Sequence, residues 1–595
     1  MIRLSGSGAP FAGAVFLILG LSGCGESSLT PPPPPSYSLA ATALSPATVT
    51  AGSAATSTIT VTPANGGTGS LTLSCGGLTG ANAPACSFSP NPITVSGNAA
   101  LSTLTISTTI DTPGGSYAIS VTGKEGSGGA PTNGPQSLAL TTAAVIQHVV
   151  VIFQENRTPD NLFQGLCIPP YGSAGACGTG QDQYDIAQQG TNSAGKTITL
   201  APIDLGTAGT NPQNYDLSHS HTAFVQMFDN GKMDGADLIS CSPAAECPPN
   251  AHPNPQFMYV NPADVAPYLA MAQQYTFGDR MFQTNQGPSF PAHQFIFSGT
   301  SAPSAPGAEY STYFAAENLV GGSIAGCIAT AGTTVTLIGP TGIEVSPGLY
   351  PCYDHPAMSD LLDANGVTWR YYTPSAGSIW TAPDALENLC QAETVNGALA
   401  CTGPDWTSDV IIPGSRVLKD IASRELQQVS WVIPDGAYSD HADISNGSGP
   451  SWVASIVNAI GNSSYWANTA ILITWDDWGG WYDHVAPKVI NDGVSWGSGY
   501  VYGFRVPLVV VSPYAKAKYI SHTTHDFGSI LKFIESTYGL PSLGYSDAYA
   551  DDLSDCFNLT QTPIVFQTID APLEAAHFTD SKEAAIDPDD DDDDE

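Results

Sequence analysis

Ala470-Ile471-Leu472-Ile473-Thr474-Trp475-Asp476-Asp477 carries an apolar run straight into two adjacent carboxylates. Far upstream, Ile146–Phe153 does the same, leading into Glu155-Asn156. Continuous apolar strands belong to a sheet covered on both faces, and Pro507–Val511 has the same character. Helical stretches alternate with them at Ala357–Ala364, Trp452–Ile460 and Phe527–Thr537, the last with apolar residues three and four apart. Residues 145–575 therefore read as one α/β domain around a mostly parallel sheet, with loop insertions at 165–215 and 301–350. In open α/β sheets the reacting groups stand just past the carboxyl ends of the strands. Two oxygen-ligand pairs at such ends, with the serine of Gly287-Pro288-Ser289-Phe290-Pro291, sketch a metal-dependent hydrolase with a serine nucleophile.

Glu155, Asn156, Asp476 and Asp477 are hard oxygen donors, a set suited to one Ca²⁺, Mg²⁺ or Mn²⁺ ion. Adjacent carboxylates leaving a buried strand raise each other's pKa unless a cation neutralises them. Either pair alone reads equally as a polar strand end or a helix cap; their joint context favours the cation.

The rest of the chain reads as modules. Arg3, the apolar Phe11–Leu21 and the box Leu21-Ser22-Gly23-Cys24 form a secretory signal over residues 1–23, too short to span a bilayer. The box resembles a bacterial lipoprotein cleavage site, which makes Cys24 the acylated N-terminus and places the protein at the cell envelope. It would be anchored through lipid and face the periplasm or the exterior, or be secreted if Cys24 is not acylated. The Pro31–Pro35 run makes residues 24–36 an extended spacer. Residues 37–143 are rich in Ser, Thr, Gly and Val, with short alternating runs at Ser57–Thr62, Ser70–Cys75, Leu101–Ile106, Ser116–Val121 and Ser137–Thr141. That pattern predicts a small all-β, immunoglobulin-like sandwich, either a spacer or a carbohydrate- or matrix-binding module. The acidic end of the chain, 576–595, reads as a disordered solvated tail.

Acidic residues outnumber basic ones 53 to 16, for a net charge of −37, which disfavours nucleic acid as a partner because its backbone needs clustered Lys and Arg. In an exported chain, sequence proximity suggests bridges Cys75–Cys86, Cys167–Cys177, Cys241–Cys247, Cys327–Cys352 and Cys390–Cys401, leaving Cys556.

Glu155-Asn156-Arg157-Thr158-Pro159-Asp160-Asn161-Leu162-Phe163 resembles a segment of the bacterial phosphoesterase family, which contains phospholipases C and an acid phosphatase. Further matches follow in the family's order: Asp216-Leu217-Ser218-His219, Gly231-Lys232-Met233-Asp234-Gly235 and Gly287-Pro288-Ser289-Phe290-Pro291-Ala292-His293. Trp475-Asp476-Asp477-Trp478-Gly479-Gly480-Trp481-Tyr482-Asp483-His484-Val485 and Phe504-Arg505-Val506-Pro507-Leu508 complete the series. The resemblance implies an alkaline-phosphatase-like α/β fold. It also implies a metal held by Glu155, Asn156, Asp476, Asp477 and the nucleophile Ser289, with His219 and His441 contacting phosphate. His441 lies in a looser match, and His355 is a further candidate. Where family members often have Pro-Asn-Arg or Pro-Asn-His after the nucleophile, this chain has Pro291-Ala292-His293, a change that bears on leaving-group contacts. Substrates would be phosphomonoesters or phospholipid head groups.

Asp483-His484, close behind the aspartate pair, reads either as support orienting the metal carboxylates or as a loop capping pair, and His293 is a further candidate for such support. Trp475, Trp478, Trp481 and Tyr482 either face a quaternary ammonium or pack the core. Gly493-Val494-Ser495-Trp496-Gly497 fits a nucleophile elbow in letters only, because no strong strand precedes it and no helix follows. A sulfatase-like enzyme would need an arginine that the Ser289 segment lacks. A surface adhesion protein that has lost activity is the non-enzymatic alternative.

Overall fold

His148 pairs with Thr469 and Gln154 with Trp475 in a parallel ladder, and this register sets Glu155 beside Asp476. The computed structural model describes residues 34–580 except 81, 111, 126–129, 207–214, 243–246, 248–250 and 491–500. Signal segment, Cys24, most of the proline run, the Gly493–Gly497 segment and residues 581–595 lie outside the described residues; the expected start of the tail at 576 is corrected by the helix Ala575–Asp580, whose Phe578 is buried against Tyr438 and Trp452.

The central sheet has nine strands. From one edge the order is Val410–Ile411, Trp369–Tyr372, Val429–Val432, His148–Gln154, Thr469–Trp475, Arg505–Val511, Thr276–Phe282 and Tyr519–Ser521, with His525–Asp526 also on the Thr276 strand. Only Arg505–Val511 runs against its neighbours; the other pairings are parallel. Thr469–Trp475 and Arg505–Val511 are buried throughout, which explains why both read as unbroken β-branched and apolar runs.

Helices cover the sheet. Gly449–Gly461 begins with Pro450 in its first turn. Phe527–Tyr538 is capped by Asp526, which accepts from Ser529 N, and ends at Gly539 with φ 67°. Both contain the helices expected from periodicity, and the Ala357 helix starts one residue later, at Met358–Ala364. The stretches expected as loop insertions carry small sheets of their own. Gln189–Thr191 pairs with Thr197–Thr199, and Phe314–Val320, Thr334–Ile338 and Glu344–Leu349 form a three-stranded sheet. Strands this short and this exposed, as in Glu344–Leu349, leave almost no periodic signal.

Ahead of this domain, a four-stranded sheet faces a five-stranded one. Their inward residues, among them Leu39, Ile59, Val61, Leu73, Leu104, Ile106 and Val121, make a separate core. Ala54–Ala64 alternates buried and exposed along its length, as a strand with one wet face must. Cys75 and Cys86 tie the two sheets together. The other four proximity pairs are also bridged, and Cys556 is a buried free thiol. Among the described residues no helix is long and apolar enough to cross a membrane.

Candidate functional site

Four strand ends deliver the candidate residues to one place. The His148 strand gives Glu155 and Asn156, the Thr469 strand gives Asp476 and Asp477, and the loop after the Val429 strand carries His441. The loop after Thr276–Phe282 leads to Ser289, first residue of the helix Ser289–Ser298. The backbone locks the two acidic ends together. Asn156 N and Asp477 N donate to Asp476 Oδ1 at 3.0 and 2.7 Å, and Arg157 N donates to Asp477 O at 3.0 Å. Gly479 and Gly480 follow with φ of 62° and 72°. A Cβ at Gly479 would meet Asn156 O at 2.4 Å, and one at Gly480 would meet Leu217 Cβ at 2.4 Å. The two glycines are therefore what lets the loops carrying Asn156, Asp477 and His219 converge.

Ser289 Oγ donates to Asp477 Oδ2 at 3.3 Å. His219 Nδ1 donates to Leu217 O at 2.8 Å, which leaves Nε2 to accept from Asn156 Nδ2 at 3.2 Å, 3.9 Å from Asp477 Oδ2. His441 stands beside His219, ring centroids 6.1 Å apart, its Nδ1 2.8 Å from Asp443 Oδ1. His293 points Nε2 at Glu155 Oε1, 3.5 Å, and at Asp476 Oδ2, 3.8 Å. Thus Ser289, Glu155, Asn156, Asp476, Asp477, His219, His441 and His293 form one cluster.

Asp483 and His484 do not join it. Past the two glycines the chain has turned away: Asp483 Oδ2 lies 2.9 Å from Arg505 Nη2, and His484 bonds Asp160 and Asp185 at 2.7 and 3.1 Å. The four aromatic residues are core. Trp475 Nε1 donates to Asp440 Oδ2 at 2.9 Å, Trp478 packs on His219 and Phe504, and Tyr482 stacks on Phe257. The cation that Trp481 faces is Arg157, 5.1 Å from its ring. His355 packs between Tyr353 and Tyr545.

Charge is unevenly distributed over the cluster. Burial, with Asp476 adding to it, pushes the Asp477 carboxyl well above the usual carboxylate range. Burial opposes ionisation of Asp476 too, but hydrogen bonding to Glu155 and attraction to His293 outweigh it and hold that carboxyl low. Burial depresses His293 to about 4 against the pull of Asp476, so the imidazole is neutral. At His441 burial is outweighed by Asp216 and Asp443, which lift it to about 9 and make it an imidazolium at neutral pH.

Asn156 Oδ1 and both ring nitrogens of His293 are buried without a hydrogen-bond partner among the described residues. Native structures rarely leave such atoms unsatisfied. Carboxylates, an amide oxygen and a hydroxyl around them fit a divalent cation.

Sequence reasoning missed two supports of the cluster. Trp380, fully buried, stands between His293 and His441, ring centroids 6.4 and 6.3 Å away. Asp216 and Asp443 set the charge of His441; Asp216 lies within a quoted motif and Asp443 two residues after His441, and a carboxylate close to a candidate histidine was the available signal. Trp380, between the strands Trp369–Tyr372 and Val410–Ile411, had none.

Fold and site together define an α/β protein whose buried carboxylate–serine–histidine cluster is assembled at the carboxyl ends of parallel strands. Residues 146–541 match the Phosphoesterase family, and the chain belongs to it. It is 25% identical over 447 residues to the non-hemolytic phospholipase C of Pseudomonas aeruginosa, covering 69% of this chain and 57% of that protein. Phospholipase C A of Mycobacterium tuberculosis is 27% identical over 261 residues, 38% of this chain and 49% of the relative. The chain thus spans about half the length of the curated relatives it matches. A solved protein of the alkaline phosphatase superfamily from Vibrio parahaemolyticus aligns over 48% of this chain and 64% of its own, with 11% identity and a TM-score of 0.26.

Proposed function

We propose that this chain is an exported, metal-dependent phosphoesterase that cleaves phosphomonoesters or phospholipid head-group phosphodiesters through Ser289, on an alkaline-phosphatase-like fold. The observation that carries the reading is the contact of Ser289 Oγ with Asp477 at the junction of the two acidic strand ends. Glu155, Asn156, Asp476 and Asp477 would hold one divalent cation. That cation supplies Lewis acidity, lowering the pKa of a coordinated hydroxyl and offsetting charge on phosphoryl oxygens.

The chain's own groups do the rest. Asp477 accepts the serine hydrogen bond and aims Oγ. Ser289 opens a ten-residue helix, whose positive end favours phosphoryl charge near Oγ. In-line attack forms the Ser289 Oγ–P bond, the hydroxyl proton passing to Asp477, as the P–O bond to the leaving group breaks. His441, charged at neutral pH, donates a proton to that departing oxygen. His219, beside His441 and Asp477, would line the space for the phosphoryl group. Water then attacks the phosphoseryl group, its proton passing to His441 while Asp477 returns one to Ser289 Oγ, which releases phosphate from a monoester or the head-group phosphomonoester from a diester.

Five disulfides suit an oxidising compartment. With the Cys24 box they support a lipid-anchored protein of the bacterial envelope, its immunoglobulin-like sandwich a spacer between anchor and catalytic domain. The test is hydrolysis of a chromogenic phosphomonoester beside its phosphorylcholine diester by the full chain and by Ser289→Ala. Ser289-dependent turnover of the diester assigns a phospholipase C type, and of the monoester a phosphatase. Absence of such turnover for both, with divalent ions supplied, overturns the reading for these substrates.

A further inference from the structure

We infer that His293 is a nitrogen ligand of the cation held by Glu155 and Asp476, which makes the site selective for a borderline transition ion over Ca²⁺ or Mg²⁺. The inference rests on the metal-dependent reading above and specifies the ion class that the site takes.

The placement comes from the helix. His293 is four residues after Ser289 in the helix Ser289–Ser298, and residues four apart share a helix face. The helix that presents the serine therefore presents the imidazole one turn deeper, on the same side. Its Nε2 is 3.5 Å from Glu155 Oε1 and 3.8 Å from Asp476 Oδ2. Neither ring nitrogen of His293 has a hydrogen-bond partner among the described residues, although both are buried. Two donors each about 2.1 Å from one ion, at a tetrahedral angle of about 110°, lie about 3.4 Å apart. The observed separations are close to the edges of such a coordination shell and long for hydrogen bonds. One donor atom from each of Glu155, His293 and Asp476 lies within 4.8 Å of the other two. Trp380, stacked beside the ring at 6.4 Å and 19°, holds its plane.

The other imidazole near the cation is differently engaged. His219 Nε2 already accepts from Asn156 Nδ2, so its outward nitrogen is committed. Oxygen-only sets suit Ca²⁺, Mg²⁺ and Mn²⁺, whereas imidazole shifts preference toward Zn²⁺, Fe²⁺ and their neighbours. Glu155 and Asp476 with one imidazole are the mixed set of such a site.

The test uses the full chain, stripped with a chelator and loaded with Mn²⁺ as a paramagnetic probe, and reads nitrogen modulation by pulsed EPR. Zn²⁺ and Ca²⁺ affinities are measured beside it by calorimetry. Imidazole coupling should be present in the wild type and in His219→Gln and absent in His293→Gln. Zn²⁺ affinity should fall on the order of 10- to 100-fold in His293→Gln, with Ca²⁺ affinity changed much less. If His293→Gln does not fold, His219→Gln decides: coupling retained supports His293, and coupling lost overturns it. Mn²⁺ bound by the wild type without imidazole coupling overturns the His293 assignment and leaves the oxygen-ligand site standing. Failure to bind any of the three ions overturns both.

Discussion

Two buried carboxylate–histidine clusters lie on either side of Gly479-Gly480, and they are neutralised in opposite ways. In one, Asp160, Asp185, Asp483 and His484 surround Arg505, whose Nη2 is 3.3 Å from Asp160 and 2.9 Å from Asp483 and whose Nη1 donates to the carbonyls of Asp185 and Asp279 at 2.8 and 2.7 Å. The fold supplies its own cation there. In the other, Glu155, Asp476 and Asp477 pack against His293, which burial keeps neutral. Buried charge is tolerated only when it is paired and hydrogen-bonded. An acidic cluster with a resident guanidinium is therefore architecture, and one against a neutral imidazole is built for a ligand.

The contrast is broken most severely at Arg505. Arg505→Ala leaves Asp160 and Asp483 buried without their counter-charge and should destabilise the chain by about 3–5 kcal/mol, read as a lowered Tm or as failure to fold. An unchanged Tm would show that the cluster does not need it. Next, a divalent ion should stabilise the stripped chain by about 2.7 kcal/mol at a hundredfold excess over Kd, raising Tm, and Asp476→Asn should abolish that gain. A smaller effect separates the two clusters directly. In the absence of metal, Asp476→Asn removes repulsion with Asp477 and should leave stability within about 1 kcal/mol of the wild type; a large loss would mean that the acidic pair is structural.

The smallest effect is on pH dependence. Burial works against a charged His484, but Asp160, by charge and hydrogen bond, raises it from 6.5 to about 10. A raised folded pKa contributes stability that is complete below about 6.5 and is lost as pH rises through about 10. Denaturation midpoints should therefore decline across that alkaline window, and less so in His484→Gln.

The acidic strand ends were legible because an apolar run that stops in two oxygen donors is a local pattern, and the sheet register then sets them side by side. The same runs marked these strands as members of one covered sheet, while their order comes only from the pairing. Asp483 and His484 misled because nearness in sequence suggested nearness in space, while two consecutive left-handed glycines turn the chain between them and Asp477. Arg505 and Asp160 are 345 residues apart, and no local pattern marks such a pairing as an ion pair. His293 stood in a quoted motif, but only the helix connecting it to Ser289 shows that it faces the carboxylates. Trp380 lies between the strands Trp369–Tyr372 and Val410–Ile411, in a stretch with no motif to mark it.

The account turns on Ser289 as a covalent nucleophile, and rapid acid quenching during turnover of a phosphoester, followed by peptide mass spectrometry, tests that most directly. It predicts a phosphoryl group on Ser289, up to one per chain, that is absent from Ser289→Ala and disappears once substrate is exhausted. Sustained turnover by Ser289→Ala at the wild-type rate, with no phosphoserine in the wild type, would contradict it and assign the attack to water.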